Sequence, residues 1–269
     1  MDGLVLVDKP AGKTSHDAVA IVRRELGERR AGHAGTLDPF ATGLLLVLVG
    51  RGRRIQRFVM ALPKTYVAVA RFGAVSTTGD PEGEITVTGV LPPPELHLPT
   101  GALRQRPPAY SAIKVGGRRA YDRARAGEEF EIPEREVTVH RFEQLWRESD
   151  RAAFEIECSA GTYVRSLIAD LGDAHTEELR RTRIGPFSVE DADPQRVVPL
   201  EEALSFLPSV RLDAATGRRA GFGQAVEVEG GWEPVDAPHV LLLDDDGPIA
   251  IAEPRGAALL KPVVGFRSS

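Results

Sequence analysis

The residues best placed to do chemistry lie in one segment, Gly32-His33-Ala34-Gly35-Thr36-Leu37-Asp38-Pro39-Phe40-Ala41-Thr42-Gly43. Three glycines and a proline surround a single carboxylate. Pro39 disfavours helical backbone at Asp38, so the acid sits on an extended or turn segment. The apolar run Leu44 to Val49 follows at once and reads as a buried strand that anchors the loop. A carboxylate presented this way by a rigid scaffold can serve as nucleophile or general base. The competing reading is an Asp-Pro turn with no chemistry. Gly12-Lys13-Thr14-Ser15 looks like the end of a phosphate-binding loop, but the glycine needed five positions earlier is Val7. A strand-to-helix turn fits it better. The six histidines are scattered, with no C-x-x-C or H-x-x-x-H pair, so the sequence offers no metal motif.

The elements that must position Asp38 can be read from periodicity. Gly3 to Asp8 is a buried strand. Ser15 then caps a helix carrying Val19, Val22 and Leu26, which Gly27 closes. A loop covers 28–39, a basic helix Arg51 to Met60, and a strand Thr65 to Phe72. Residues 89–117 are rich in Pro and Gly. A helix over Arg118 to Ala126 follows. Val137 to Trp146 and Ala152 to Ser159 form a hairpin through Glu148-Ser149-Asp150. Two helices are expected next, Thr162 to Leu171 and Thr176 to Arg183. Pro199 opens a short helix at its first position. From Val210 the texture turns to short strands and Asp-Gly turns such as Asp246-Gly247.

The 269 residues, 42% hydrophobic and 27% charged, suit one large soluble domain plus a small one. Cys158, the only cysteine, lies in the alternating run Phe154-Glu155-Ile156-Glu157-Cys158 and reads as a buried structural thiol. One cysteine suits a reducing compartment. The first residues lack the pattern of a signal peptide, and the longest apolar run is far too short to span a membrane. A net charge of -5 weighs against a nucleic-acid binder. The charge is uneven, however. Residues 1–127 carry 19 Lys+Arg and 11 Asp+Glu, a net of +8, and residues 128–269 carry 15 and 28, a net of -13. This predicts a basic working face and an acidic remainder that begins at Glu128.

The segment around Asp38 resembles the signature G-H-x-G-T-L-D-P-x-A-x-G-x-L of the TruB family of tRNA pseudouridine synthases. Lys9-Pro10 with Gly12-Lys13-Thr14-Ser15 is similar to the family's first motif, and Lys64-Thr65-Tyr66 to its K-x-Y element. Pro107-Pro108-Ala109-Tyr110-Ser111-Ala112-Ile113-Lys114, with Gly117, Tyr121, Ala124, Arg125 and Gly127, resembles its RNA-gripping insertion. Gly161-Thr162-Tyr163-Val164-Arg165-Ser166-Leu167 and Leu179-Arg180-Arg181 complete the set. The connector between Asp170-Leu171-Gly172 and Leu179 is shorter than the family's, which implies a tightly joined helix pair.

The resemblance implies an α/β (α+β) fold: a mixed, largely antiparallel sheet with flanking helices over 1–209, the insertion at about 104–134, and a small β-barrel-like, RNA-binding PUA domain over 210–269. It implies isomerisation of uridine 55 in the T arm of tRNA, with no cofactor, by a cytoplasmic monomer with no obligatory protein partner. Asp38 would be the essential aspartate and Arg165 its ion-pair partner. Tyr66 would stack on the extruded base, Tyr163 would lie near C5, and Leu179 would pack against the uracil. His33 would contact RNA near the flipped nucleotide, and Asp80, in Thr78-Gly79-Asp80-Pro81-Glu82-Gly83, would help orient partners. Lys9, Lys64, Lys114, Arg118 and Arg54 would contact RNA as well. A non-catalytic tRNA-binding module is the alternative.

Overall fold

The computed structural model describes the chain except residues 112, 229–231, 233–236, 257 and 268–269, so Ala112 of the insertion motif lies outside the described residues. The apolar runs near the N-terminus form β1 (Gly3–Lys9) and β3 (Thr42–Val49), paired antiparallel from Gly3↔Val49 to Lys9↔Gly43. Side chains alternate across a strand. Leu4, Leu6, Leu44, Leu46 and Leu48 therefore share one core, while Val5, Val7, Val47 and Val49 pack on Ala18, Val19 and Val22 of α1 (Ser15–Leu26). Both faces are buried, which is why the sequence shows continuous apolar runs here. β2 (Ala31–His33), inside the segment expected to be loop, pairs with β3 and leads into the Asp38 segment.

A 3-10 turn over Gly50–Ile55 and α2 (Gln56–Ala61) replace the single basic helix. β4 (Lys64–Phe72) enters the sheet, followed by a small hairpin of β5 (Ala74–Ser76) and β6 (Ile85–Val87). β7 (Gly101–Gln105) is the sheet's edge. The insertion then holds β8 (Lys114–Val115), β9 (Arg118–Arg119) and α3 (Ala120–Arg125). The expected long hairpin is present as β10 (Arg135–Glu148) and β11 (Arg151–Cys158), with Cys158 buried and free. Then come α4 (Val164–Ala169), β12 (Ala174–Ile184), β13 (Phe187–Ser188), β14 (Val198–Pro199) and α5 (Leu200–Ala203). The sheet runs β14-β1-β3-β12-β4-β11-β10-β7, with β2 on β3 and β13 on β12. Among the described residues its one parallel pair is the short β12–β3 contact.

Three local expectations need correction. The expected helix over Thr176 to Arg183 is strand β12. Its Glu, Leu and Arg content favours helix in isolation, but the segment lies between β3 and β4 and pairs with both. Bulges between Thr176 and Glu178 and between Arg181 and Arg183 interrupt the two-residue alternation that would have betrayed it. The cap of α1 is Thr14, not Ser15. Thr14 Oγ1 accepts from Asp17 N at 3.1 Å, and Asp17 Oδ2 accepts from Thr14 N at 2.8 Å. Pro199 is the N-cap of α5 rather than its first residue.

From residue 209 a second sheet follows: β15 (Ser209–Arg211), β16 (Val226–Glu227), β17 (Val240–Asp244), β18 (Gly247–Pro254) and β19 (Leu259–Gly265), ordered β15-β17-β18-β19-β16. It carries a helix the strand-like texture did not suggest, α6 (Ala214–Gly221), capped by Asp213. Leu241, Leu243, Ile251 and Phe266 join the core of the large sheet. No helix among the described residues is long and apolar enough to cross a membrane.

Candidate active site

The loop carrying Asp38 is held from several sides. Ser15, freed from capping, accepts from Leu37 N at 3.0 Å and donates to Leu37 O at 3.2 Å. Gly12 N donates to Pro39 O at 2.8 Å. The Lys9 ammonium donates to Pro39 O at 3.2 Å, Lys13 O at 2.7 Å and Pro10 O at 2.9 Å. The first motif and the Asp38 segment are thus one unit: the turn after β1 is the clamp on the loop before β3. Gly43 closes the loop at φ +100, where a Cβ would stand 2.2 Å from Arg181 O.

Asp38 opens onto a cavity of about 380 Å3 that Tyr66, Lys64, Tyr163, Arg165 and Leu179 also line. Six sequence-predicted residues from four parts of the chain therefore meet: the loop gives Asp38, β4 gives Lys64 and Tyr66, the start of α4 gives Tyr163 and Arg165, and β12 gives Leu179. A second cavity, about 830 Å3, shares Asp38 and Arg165 with the first and is lined also by His16, His33, Lys114, Arg119 and Tyr121. His16 and His33 meet edge to face with centroids 5.3 Å apart.

Arg165 organises the centre. It is 3% exposed, and its Nε lies 3.1 Å from Asp38 Oδ2. That N–H is not aimed at the carboxylate and makes no hydrogen bond. The terminal nitrogens are committed elsewhere: Nη1 donates to Asp80 Oδ2 and to Thr78 O, both at 2.7 Å, and Nη2 to Tyr110 O at 2.9 Å. Asp80, expected to orient partners, is the buried counter-ion of Arg165. Gln105, which no motif suggested, holds the Tyr163 backbone with both halves of its amide, at 2.8 and 2.9 Å. The Arg135 guanidinium sits 4.8 Å from the Tyr163 ring centre. Neither Gln105 nor Arg135 lies in a motif, and only the β7–β10 pairing brings them to Tyr163.

Burial raises the Asp38 carboxyl above the ordinary aspartate range; Arg165 opposes this, nearby Asp80 reinforces it, and Lys9 and Arg181 oppose it further. Burial likewise raises the Tyr66 hydroxyl and lowers His33. The Cys158 thiol, pushed up to about 11 by burial, is inert at neutral pH.

Several of the residues expected to touch RNA do other work. Lys9 is fully buried and its ammonium is used up on backbone carbonyls, so it holds the Asp38 loop and reaches no phosphate. Lys64 is 7% exposed; its ammonium donates to Met60 O and Leu62 O, and burial lowers it to about 8. Arg54 donates to Gly265 O and Arg51 to Phe266 O, so these two tie the second sheet to the first. Lys114 and Arg118 remain exposed on the insertion. The split into a basic face and an acidic remainder is also corrected. Glu128 folds back onto Arg118 at 2.5 Å and Arg123 at 2.8 Å, and Glu131 and Glu134 lie 3.8 and 3.6 Å from Arg106. Acidic and basic residues of the insertion share one surface.

Residues 23–164 match the model of the TruB family pseudouridylate synthase N-terminal domain. A Thermobifida fusca protein named tRNA pseudouridine synthase B is 43% identical over 300 aligned positions, covering 100% of this chain and 99% of its own. The Rhodococcus jostii protein of the same name is 43% identical, covering 94% of this chain and 90% of its own. Among solved structures, that of a Cbf5-Nop10-Gar1 complex matches with a TM-score of 0.73 at 25% identity, covering 98% of this chain and 84% of the other. Site geometry, ordered motifs and full-length relatives agree: the chain belongs to the TruB family of pseudouridylate synthases.

Proposed function

We propose that this protein converts uridine 55 in the T arm of tRNA to pseudouridine. Substrate and product are isomers. The N1–C1′ bond breaks, the uracil turns, C5 bonds to C1′, the C5 proton leaves and N1 gains one. Nothing else is consumed, so the balance calls for no cofactor. What supports this reading above all is Asp38, raised on a clamped loop into the cavity it shares with Tyr66, Tyr163, Arg165 and Leu179.

Asp38 acts as an ionised carboxylate, whether by attack at C1′, by attack at C6 or by removal of the C2′ proton. Arg165 favours that charged form through the charge it places beside it. Extruding the base from the T loop costs on the order of a few kcal/mol. Stacking on Tyr66 returns about 1–3 kcal/mol. Tyr163 sits where the C5 proton is lost, and Leu179 packs on the uracil. The second cavity, with His33, His16 and Lys114, receives nucleotides beside the target. The insertion at 104–134, with Arg118, follows the RNA backbone. Residues 1–209 form the catalytic domain and 210–269 a PUA-like RNA-binding unit. The protein works as a cytoplasmic monomer.

The test is tritium release from unmodified tRNA labelled at uracil C5. Release by the wild type is expected. Its absence, in salt low enough for binding, overturns the assignment and leaves an RNA-binding module. Binding should also weaken as salt rises, because phosphate contacts release counterions; a flat salt dependence would contradict RNA contact by the insertion.

A further inference from the structure

Arg181 is a large cation in an unusual place. It lies on β12 with 2% exposure, in register with Tyr66 on β4 and Gly43 on β3. Its Nε donates to Leu44 O at 2.8 Å. Its Nη2 reaches Gly35 O at 3.2 Å and its Nη1 reaches Thr36 O at 3.4 Å. These carbonyls stand on both sides of Asp38 in the chain. Among the described residues no carboxylate lies within ion-pair distance of this guanidinium. It nonetheless lines the cavity into which Asp38 opens.

A buried charge without a counter-ion is costly unless its hydrogen bonds are satisfied. The backbone carbonyls of the loop supply part of that compensation, and the planar fork of arginine can span positions that a single ammonium cannot. We propose that Arg181 is a positioning residue for the isomerisation: its guanidinium grips the loop before and after Asp38, fixing the carboxylate in one geometry while the base is turned over. This rests on the function proposed above and adds a residue to it. Lys9 and Ser15 grip the same loop from β1 and α1, while Arg181 grips it from β12.

The charge of Arg181 has a second effect. The groups facing Asp38 are Arg165 from α4, Asp80 and Glu82 from the β5–β6 turn, Lys9 from β1 and Arg181 from β12. Two acids and burial oppose ionisation and three cations favour it, so removing one cation moves the balance toward the protonated acid.

The experiment compares Arg181→Met and Arg181→Lys with the wild type. Single-turnover rate at saturating tRNA, tRNA affinity, the pH profile of the rate and amide hydrogen exchange over 35–44 in the free protein are measured. For Arg181→Met the rate should fall about 100-fold, the scale of a small misplacement of the reacting group. Affinity should stay within about threefold. The acid limb of the profile should move to higher pH, and exchange in the loop should quicken. Arg181→Lys should restore the acid limb but not the rate. A folded Arg181→Met with rate and exchange unchanged overturns the proposal. So does a loss confined to affinity, which would make Arg181 an RNA contact. If Arg181→Met does not fold, Arg181→Lys decides, and full activity in it overturns the proposal. If the wild type releases no tritium, the functional assignment fails by itself. Loop exchange in the free variants then still supports or overturns the grip.

Discussion

Two Asp-Pro pairs, Asp38-Pro39 and Asp80-Pro81, sit on glycine-bearing loops and place a carboxylate against the same guanidinium, that of Arg165. Their surroundings make them opposites. Asp80 is 3% exposed and fully partnered. It accepts from Thr78 Oγ1 at 2.5 Å, Glu82 N at 3.0 Å and Arg165 Nη1 at 2.7 Å. Asp38 keeps 34% of its side-chain surface open, faces a cavity, and lacks a directed hydrogen bond from Arg165. A carboxylate with both oxygens committed is a fixture; one held in place through its backbone, with its oxygens left open, can react. The backbone of the Asp38 loop receives the bonds that the Asp80 side chain receives directly. The clamps on Leu37 and Pro39 do for Asp38 what Thr78 and Glu82 do for Asp80.

The contrast is broken most severely by exchanging charge for amide in the open acid. Asp38→Asn should lower tritium release at least about 1,000-fold, because the group that must attack or accept a proton is gone. tRNA affinity, measured by filter binding, should persist. A variant keeping wild-type turnover would mean that Asp38 is the fixture and the reactive group lies elsewhere.

Asp80→Ala should instead act first on stability. It leaves the Arg165 charge buried beside two carbonyls and one half-open carboxylate. Breaking a buried pair from one side costs about 3–5 kcal/mol, read from denaturant unfolding. Turnover should fall as well, by less than in Asp38→Asn, since Arg165 loses its orientation but Asp38 remains. Equal stability of this variant and the wild type would remove the distinction drawn between the two acids. A gentler cut is Thr78→Val, which keeps the shape and deletes one donor to Asp80. A hydrogen bond to a charged group contributes about 1.5–3 kcal/mol, so a loss near the lower end is expected, with turnover changed little.

Which of the two acids the proposed reaction uses is legible in the sequence only through the motif around Asp38. Asp-Pro on a glycine loop occurs twice, and local pattern does not count lone pairs. The strands β1 and β3 were legible because burial on both faces writes an unbroken apolar run. β12 was not, because its bulges break the alternation and its largest buried side chain is an arginine. The work of Lys9 and Lys64 is hidden in the sequence for a related reason. A lysine in a motif looks like a phosphate contact, and only the fold shows an ammonium closed in by carbonyls. The charge asymmetry misled at larger scale, since Glu128 is adjacent in space to the arginines that precede it.

The smallest expected effect separates the two acids by pH. Burial raises the folded-state pKa of Asp38 above its unfolded value. The folded protein therefore holds this proton more tightly than the unfolded chain. Asp38 is least unfavourable to folding below the unfolded pKa, and that benefit is lost as pH rises through the folded pKa. At neutral pH the ionised, incompletely paired carboxylate works against the fold. Asp38→Asn should then melt slightly higher than the wild type at pH 7, with the gain shrinking as pH falls into the range where Asp38 protonates. Asp80→Asn should show no such gain, because its carboxylate is matched by Arg165, Thr78 and the Glu82 amide. Melting curves of both amides from pH 4 to pH 8, on the order of the range carboxylates titrate over, read the difference directly. An Asp38→Asn variant less stable than the wild type at pH 7 would show that the open acid, too, is held in place for the sake of the fold.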